Sequence, residues 1–256
     1  KKKRDNLIQR KRIVSEKQLI AQFKDTLAKS RFKNILQKPG IQLIAEIKRA
    51  SPSKGDLRPD LDVAQMAMLY EKHGVELVSV LCEEKFFKGS LDDIKKVRQR
   101  TGLSILCKDF IVDSYQIYEA KLSGADAVLL IAAILDNEQI TELIDVARSL
   151  EMDSVVEVHS ERELKRVLEL GSDLEIAGIN HRNLEDFSVD TTITEKLMPY
   201  FGADHLVISE SGIDSAEQIK KLDELGVDGA LIGEALMVAE NIAAKVDEFV
   251  KATREN

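Results

Sequence analysis

Tryptophan is absent from this chain, and aromatic residues together make up only 5% of it. A core must therefore be assembled from Leu, Ile, Val and Ala. Cysteine is nearly as scarce: the two present, Cys82 and Cys107, cannot support a disulfide-stapled scaffold. Both lie in apolar runs that read as neighbouring strands, so buried reduced thiols and a cytoplasmic setting are expected. No stretch approaches the roughly 18 apolar residues of a membrane span, and no signal-peptide pattern opens the chain. A soluble protein without a membrane partner is expected. Basic charge is in deficit, with 37 Lys and Arg against 45 Asp and Glu for a net charge of −8, which argues against a nucleic-acid partner. A small anion is not excluded, because a few backbone N–H groups and lysines in one place outweigh distant charge.

What is present suits a large globular domain. The 256 residues, 44% of them hydrophobic, match the usual size of a (β/α)₈ barrel and can fill its core. The basic start, Lys1-Lys2-Lys3-Arg4, reads as a solvated helix end in preference to a targeting or nucleic-acid patch. Because the chain begins inside a charged helical pattern, native residues are expected before Lys1. Across residues 1–40, Leu7, Ile8, Leu19, Ile20, Phe23 and Leu27 recur at near-helical spacing. This region is expected to be a helical extension packed across one barrel end, within a single domain spanning 1–256. The acidic surface and the lack of an obvious apolar stripe point to a monomer.

A repeat runs through the remainder. Gly74-Val75-Glu76, Gly124-Ala125-Asp126, Gly171-Ser172-Asp173 and Gly226-Val227-Asp228 each precede an apolar run, their glycines 50, 47 and 55 residues apart. Each glycine follows an amphipathic stretch and is placed to end a helix in the left-handed conformation. The runs that follow, at 77–81, 127–131, 174–179 and 229–233, are short and apolar throughout, as suits parallel strands buried on both faces. A period near 50 fits two βα units of about 25 residues each. The intervening strands then fall at 42–47, 104–108, 154–158 and 206–209. Eight such units close as a (β/α)₈ barrel or extend as an open sheet. The pseudo-four-fold repeat favours the barrel, and no glycine-rich dinucleotide fingerprint follows the first strand.

In such a barrel, chemistry sits at the C-terminal ends of the strands. Glu46 and Lys48 share a face of the first strand that the pleat should turn inward. Buried opposite charges cost desolvation energy unless paired or liganded, and structural ion pairs do occupy barrel mouths. Yet Lys108, Glu157, Asn180 and Glu210 converge from four further strands, and so many are poorly explained by structure alone. A phosphate signal stands apart. Ser211-Gly212 and Gly233 follow the seventh and eighth strands, where barrels often hold phosphate, and a short helix starting near Glu234 would offer free N–H groups. Gly233 taken singly could serve turn geometry only. His159 and His181, just past the fifth and sixth strands, read as loop residues rather than catalysts. No two histidines have metal-site spacing, and nothing asks for a metal or an organic cofactor.

The strings AEIKRASPSKG, EEKFFKGS, CKDFI, VEVH, GINHRNL, SESGI and LIGEALM occur in order between positions 45 and 237. They resemble the signature segments of the indole-3-glycerol-phosphate synthase family, which also carries a helical N-terminal extension. The strings after the first and seventh strands are the most specific, whereas the glycine segment at the eighth is shared by many phosphate-binding barrels. The resemblance implies a cytoplasmic (β/α)₈ enzyme of tryptophan biosynthesis. It would act on a phosphosugar-anthranilate substrate, closing the ring of 1-(2-carboxyphenylamino)-1-deoxyribulose 5-phosphate with loss of carbon dioxide and water. Position by position, it implies Lys108 as general acid and Glu157 as proton acceptor, with Lys48 at the anthranilate carboxylate and sharing acid duty. Glu46 and Glu210 would position the lysines and a substrate hydroxyl, and Asn180 would orient the same region. Ser51, Ser211, Gly212, Gly233 and Glu234 map to the phosphate side, the last through its backbone N–H, and Phe110 to a wall for the anthranilate ring. His181 and Cys82 depart from the pattern, which has Asn or Ser and Thr there.

The chemistry agrees with those roles. An aromatic carbon is a weak nucleophile, so the carbonyl needs a proton donor. A lysine pKa lowered by burial and a second cation is expected for Lys108. Lys54 and Lys88, on the loops after the first two strands, are placed to close over the site. Three alternatives remain open at this level. A Schiff-base aldolase would be trapped by borohydride through Lys108. Another phosphosugar barrel, such as an isomerase, would turn over without releasing carbon dioxide. A phosphate-binding module without catalysis would lose only affinity on Lys108→Ala.

Overall fold

The apolar runs become eight parallel strands in the computed structural model, which describes residues 2–23, 28–183 and 186–254. They are β1 (Gln42–Ile47), β2 (Leu77–Leu81), β3 (Ser104–Lys108), β4 (Ala127–Ile131), β5 (Asp153–Val158), β6 (Ile176–Asn180), β7 (Leu206–Glu210) and β8 (Gly229–Ile232). Each pairs with its sequence neighbours, and β1 also pairs with β8, so the sheet closes into a barrel. Helices alternate with the strands around it. Lys1 of the basic start and Leu27 of the apolar spacing lie outside the described residues.

Strand parity sorts the side chains into two cores. One set, including Ile44, Leu77, Leu106, Leu129, Val155, Ile176, Ile208 and Leu231, packs within the barrel. The other set, including Ala45, Val78, Ile105, Cys107, Val128, Val156, Ala177, Val207 and Ala230, packs against the helices. Cys82 and Cys107 belong to the helix-facing set and are buried, free thiols with Sγ atoms 3.8 Å apart. Lys108, Glu157, Asn180 and Glu210 have the inward parity, each at or near the C-terminal end of its strand.

Short polar side chains start the helices at that rim. Asp62, Asp113, Asp136, Ser160 and Ser215 each accept a backbone N–H of the first turn, and such a cap contributes about 1 kcal/mol. Gly74, Gly124 and Gly226 have φ of 84°, 100° and 81° and turn the chain from helix into the next strand. Gly171 differs: it has φ 58° and ψ −127° inside a 3₁₀ segment, Leu168–Asp173, that replaces a clean helix end.

The N-terminal region divides. Phe32, Ile35 and Leu36 of the helix Phe32–Leu36 join the core within the barrel and close its N-terminal end. The earlier helices, Lys2–Ile13 and Glu16–Ile20, instead bring Leu7 and Leu19 against Tyr115 on the helix Ser114–Ser123. Ile8 and Ile20 remain exposed, contrary to the apolar spacing, because a residue beside Leu7 or Leu19 points about 100° away around the helix. Among the described residues, no helix is long and apolar enough to cross a membrane.

Candidate active site

At the C-terminal rim Lys108, from the end of β3, reaches carboxylates on two strands across the barrel. Its Nζ lies 3.3 Å from Oε2 of Glu157 on β5 and forms a close ion pair with Oε2 of Glu210 on β7. Beside them, Lys48 Nζ is 2.6 Å from Oε1 of Glu46 on β1. Glu46, Glu157 and Glu210 are all buried. Buried charges of this number are costly unless each meets an opposite charge, and two ammonium groups serve three carboxylates.

That imbalance sets the proton affinities. Burial alone would lower the Lys108 pKa, but Glu210, Glu157 and Glu46 outweigh it and the net shift is upward. The downward shift expected from sequence is thus corrected: in the free protein the neighbours of Lys108 are predominantly anionic. Burial also pushes Glu210 upward; Lys108 opposes this, Glu157 adds to it, and its pKa rises to about 7. Glu157 moves the other way. Burial would raise it, but Lys108 and His159 together hold it well below the usual carboxylate range.

Two hollows meet at Lys108. The larger, about 360 Å³, is lined by Glu46, Lys48, Lys108, Glu210, Ser211, Gly212, Gly233 and Glu234, with Lys54 and Arg182 at its edge. The smaller, about 80 Å³, is bounded by Lys108, Phe110, Glu157 and Asn180 with Leu81, Leu129 and Ile131 as apolar walls. Ser51 lines neither hollow; it is buried in the turn after β1, where its Oγ accepts the Lys54 N–H at 3.3 Å. A larger hollow, about 610 Å³, lies at the opposite end between Lys38, Glu76, Asp223 and Arg254. It lacks the convergent buried charges found at the rim. Among the described residues, no three His, Cys, Asp or Glu side chains cluster as a metal site.

The turn after β7 is held from behind. Ser211 and Gly212 both have positive φ, 72° and 70°, a conformation that costs a non-glycine residue about 1 kcal/mol or more. His181 fixes it: the ring is buried, and Nδ1 lies 2.7 Å from the Ser211 carbonyl oxygen. Nε2 lies 2.7 Å from Thr194 Oγ1 and 3.0 Å from Ser209 Oγ. The carbonyl can only accept, so Nδ1 carries the proton and Nε2 receives a hydroxyl hydrogen. Burial keeps the His181 pKa below its ordinary value, which matches this neutral form. Asn180 completes the support, its Oδ1 accepting from Ser211 Oγ at 2.8 Å and from the Arg182 N–H at 3.0 Å.

Other residues emerge only in three dimensions. Arg182 was not singled out from sequence, yet its guanidinium lies 3.4 Å from Glu234 Oε2 and 3.3 Å from Ser53 Oγ. Its spacing two residues after Asn180 was the available signal. Lys54 stands 3.6 Å from Glu234 Oε1. Lys88 does not line either hollow; it pairs with Asp56 at 2.6 Å and ties the loops after β1 and β2 together.

The family model described as indole-3-glycerol phosphate synthase matches residues 1–249. A protein of that name from Thermoanaerobacter pseudethanolicus is 43% identical over 252 residues, covering 98% of this chain and 95% of the relative. Another, from Acetivibrio thermocellus, is 49% identical over 209 residues, covering 82% and 80%. Among solved structures, 3-hexulose-6-phosphate synthase from Salmonella typhimurium superposes with a TM-score of 0.65 at 15% identity, covering 83% of this chain and 98% of that one. That likeness speaks for the barrel alone. With a family match over nearly its full length and relatives this similar, the chain belongs to the indole-3-glycerol phosphate synthases, carboxy-lyases of tryptophan biosynthesis.

Proposed function

We propose that this chain closes the indole ring of 1-(2-carboxyphenylamino)-1-deoxyribulose 5-phosphate, using Lys108 as general acid and Glu157 as general base. The observation that carries the reading is the placement of Lys108 between two buried carboxylates, at the meeting of a polar and an apolar hollow. A charged, aimed ammonium can donate to the ketone oxygen as the aromatic carbon attacks it. Loss of carbon dioxide then restores the aromatic ring. Elimination of water needs one proton delivered to the departing hydroxyl and one removed from the ring system, and the second is the task of Glu157. A base of low pKa suffices there, because the proton it takes comes from a cationic, strongly acidic intermediate.

The remaining residues bind and orient. Phe110, with Leu81, Leu129 and Ile131, offers an apolar wall for the anthranilate ring. Lys48 serves the anthranilate carboxylate and shares acid duty, held meanwhile by Glu46. Glu210 positions Lys108 and takes a substrate hydroxyl, and Asn180 orients the Ser211 turn. The phosphate meets the backbone N–H groups of Ser211, Gly212, Gly233 and Glu234, at the start of the helix Glu234–Val238. Lys54 and Arg182 supply the cations there, releasing the Glu234 carboxylate when phosphate enters. Ser51 braces the Lys54 turn from beneath.

Incubation with the carboxyphenylamino substrate tests the reading. Indole fluorescence and carbon dioxide should appear together in equal amounts. Turnover without carbon dioxide, or a borohydride-trapped adduct on Lys108, would replace it with isomerase or Schiff-base chemistry.

A further inference from the structure

One buried group close to the proposed base is not used by that mechanism. His159 follows β5, and its side chain is only 9% exposed. Nε2 lies 3.1 Å from Oε1 of Glu157, and Nδ1 lies 3.3 Å from Oε2 of Glu163 in the helix Glu161–Val167. The same Glu163 oxygen accepts the backbone N–H of His159 at 2.8 Å. The ring is thereby clamped between two carboxylates. Nε2 is buried with no other partner, so what it meets there is the Glu157 carboxylate. Glu163 alone would be enough to hold the loop; the approach to Glu157 needs a separate reason.

The two oxygens of Glu157 are divided between two cations. Oε2 faces Lys108 and Oε1 faces His159. We propose that His159 is a positioning residue for Glu157, a cation bridged to Glu163 that fixes one oxygen of the base, keeps it ionised between turnovers and leaves the other toward the reacting centre. The proposal rests on the reading of Glu157 as the base. Charged groups facing Glu157 are Lys108 from β3, Glu210 from β7 and His159 from the turn after its own strand, while His159 itself faces Glu157 and Glu163. Burial favours a neutral ring, but the two carboxylates prevail and its pKa is pushed up to about 9. The clamp is therefore charged throughout the neutral range.

Two measurements test it. In ring-labelled histidine NMR on the whole chain, His159 should titrate near pH 9 and fall toward an ordinary histidine in Glu157→Gln and, separately, in Glu163→Gln. In the pH profile of kcat, His159→Gln should move the acid limb upward by about one unit with KM unchanged. Glu163→Gln, which leaves the residues of the hollows in place, should move it the same way by less. A purely structural histidine would alter the melting temperature and leave that limb in place. An ordinary titration midpoint that ignores Glu157→Gln overturns the proposal whatever Glu157 does. Normal titration coupling combined with full kcat in Glu157→Gln overturns it differently, by removing the base that His159 was to serve. The titration in the unaltered chain needs no variant to fold.

Discussion

A methyl group on the α-carbon of Gly178 in β6 would stand 2.5 Å from Oε1 of Glu210 in β7. That oxygen is buried and has no hydrogen-bond partner, so the absent side chain is the space the carboxylate occupies. Gly233 likewise leaves room for Glu46, whose Oε1 instead accepts from Lys48. Gly178→Ala is expected to push Glu210 off Lys108, lowering kcat by about tenfold or more, at an overpacking cost of about 1–3 kcal/mol. Steady-state kinetics read beside thermal melting would check this; an unaltered kcat in a folded variant would show that the Glu210 position is not critical.

Glu210 also makes stability depend on pH in a defined direction. Its pKa is raised to about 7 from the ordinary 4.5. Between those values the folded chain keeps a proton that the unfolded chain has released. Its contribution is fully present below about 4.5, is lost as pH rises through 7, and is flat beyond. The melting temperature of the unaltered chain minus that of Glu210→Gln should therefore narrow across this window. A difference that stays constant from pH 4.5 to 8 would contradict the burial argument.

His181→Ala removes the ring that holds the Ser211 carbonyl and takes away the nitrogen that accepts from the hydroxyl pair Thr194 and Ser209, whose oxygens lie 3.0 Å apart. A loss of about 1–3 kcal/mol is expected from the broken buried hydrogen bonds. Because the Ser211–Gly212 turn faces the proposed phosphate, KM should rise more than kcat falls, and inorganic phosphate should inhibit less well. Equal KM in the variant would mean that the turn keeps its positive φ without help.

Much of the architecture was legible because parallel strands buried on both faces leave uninterrupted apolar runs, and the glycine–acid repeat marked where half of them begin. Parity did the rest: Glu46 with Lys48, and Lys108, Glu157 and Glu210 at strand ends, had to share one interior. The helix positions of Ile8 and Ile20 were not legible, since the short N-terminal helices divide between the barrel end and its flank, and spacing alone does not say where. The two histidines looked alike in sequence. Only the folded chain distinguishes His159, between two carboxylates, from His181, between a carbonyl and two hydroxyls. The proton affinity of Lys108 was not legible for a related reason. It depends on how many carboxylates reach it from other strands, and distance across a barrel is not written in spacing.

Replacement of Lys108 by methionine, followed by indole fluorescence under saturating substrate, tests the central claim most directly. Methionine keeps the length of the side chain and removes its charge. The account predicts kcat lower by roughly two orders of magnitude or more, with binding of a substrate analogue little changed. A folded Lys108→Met chain that forms indole product within a few-fold of the unaltered rate would contradict it.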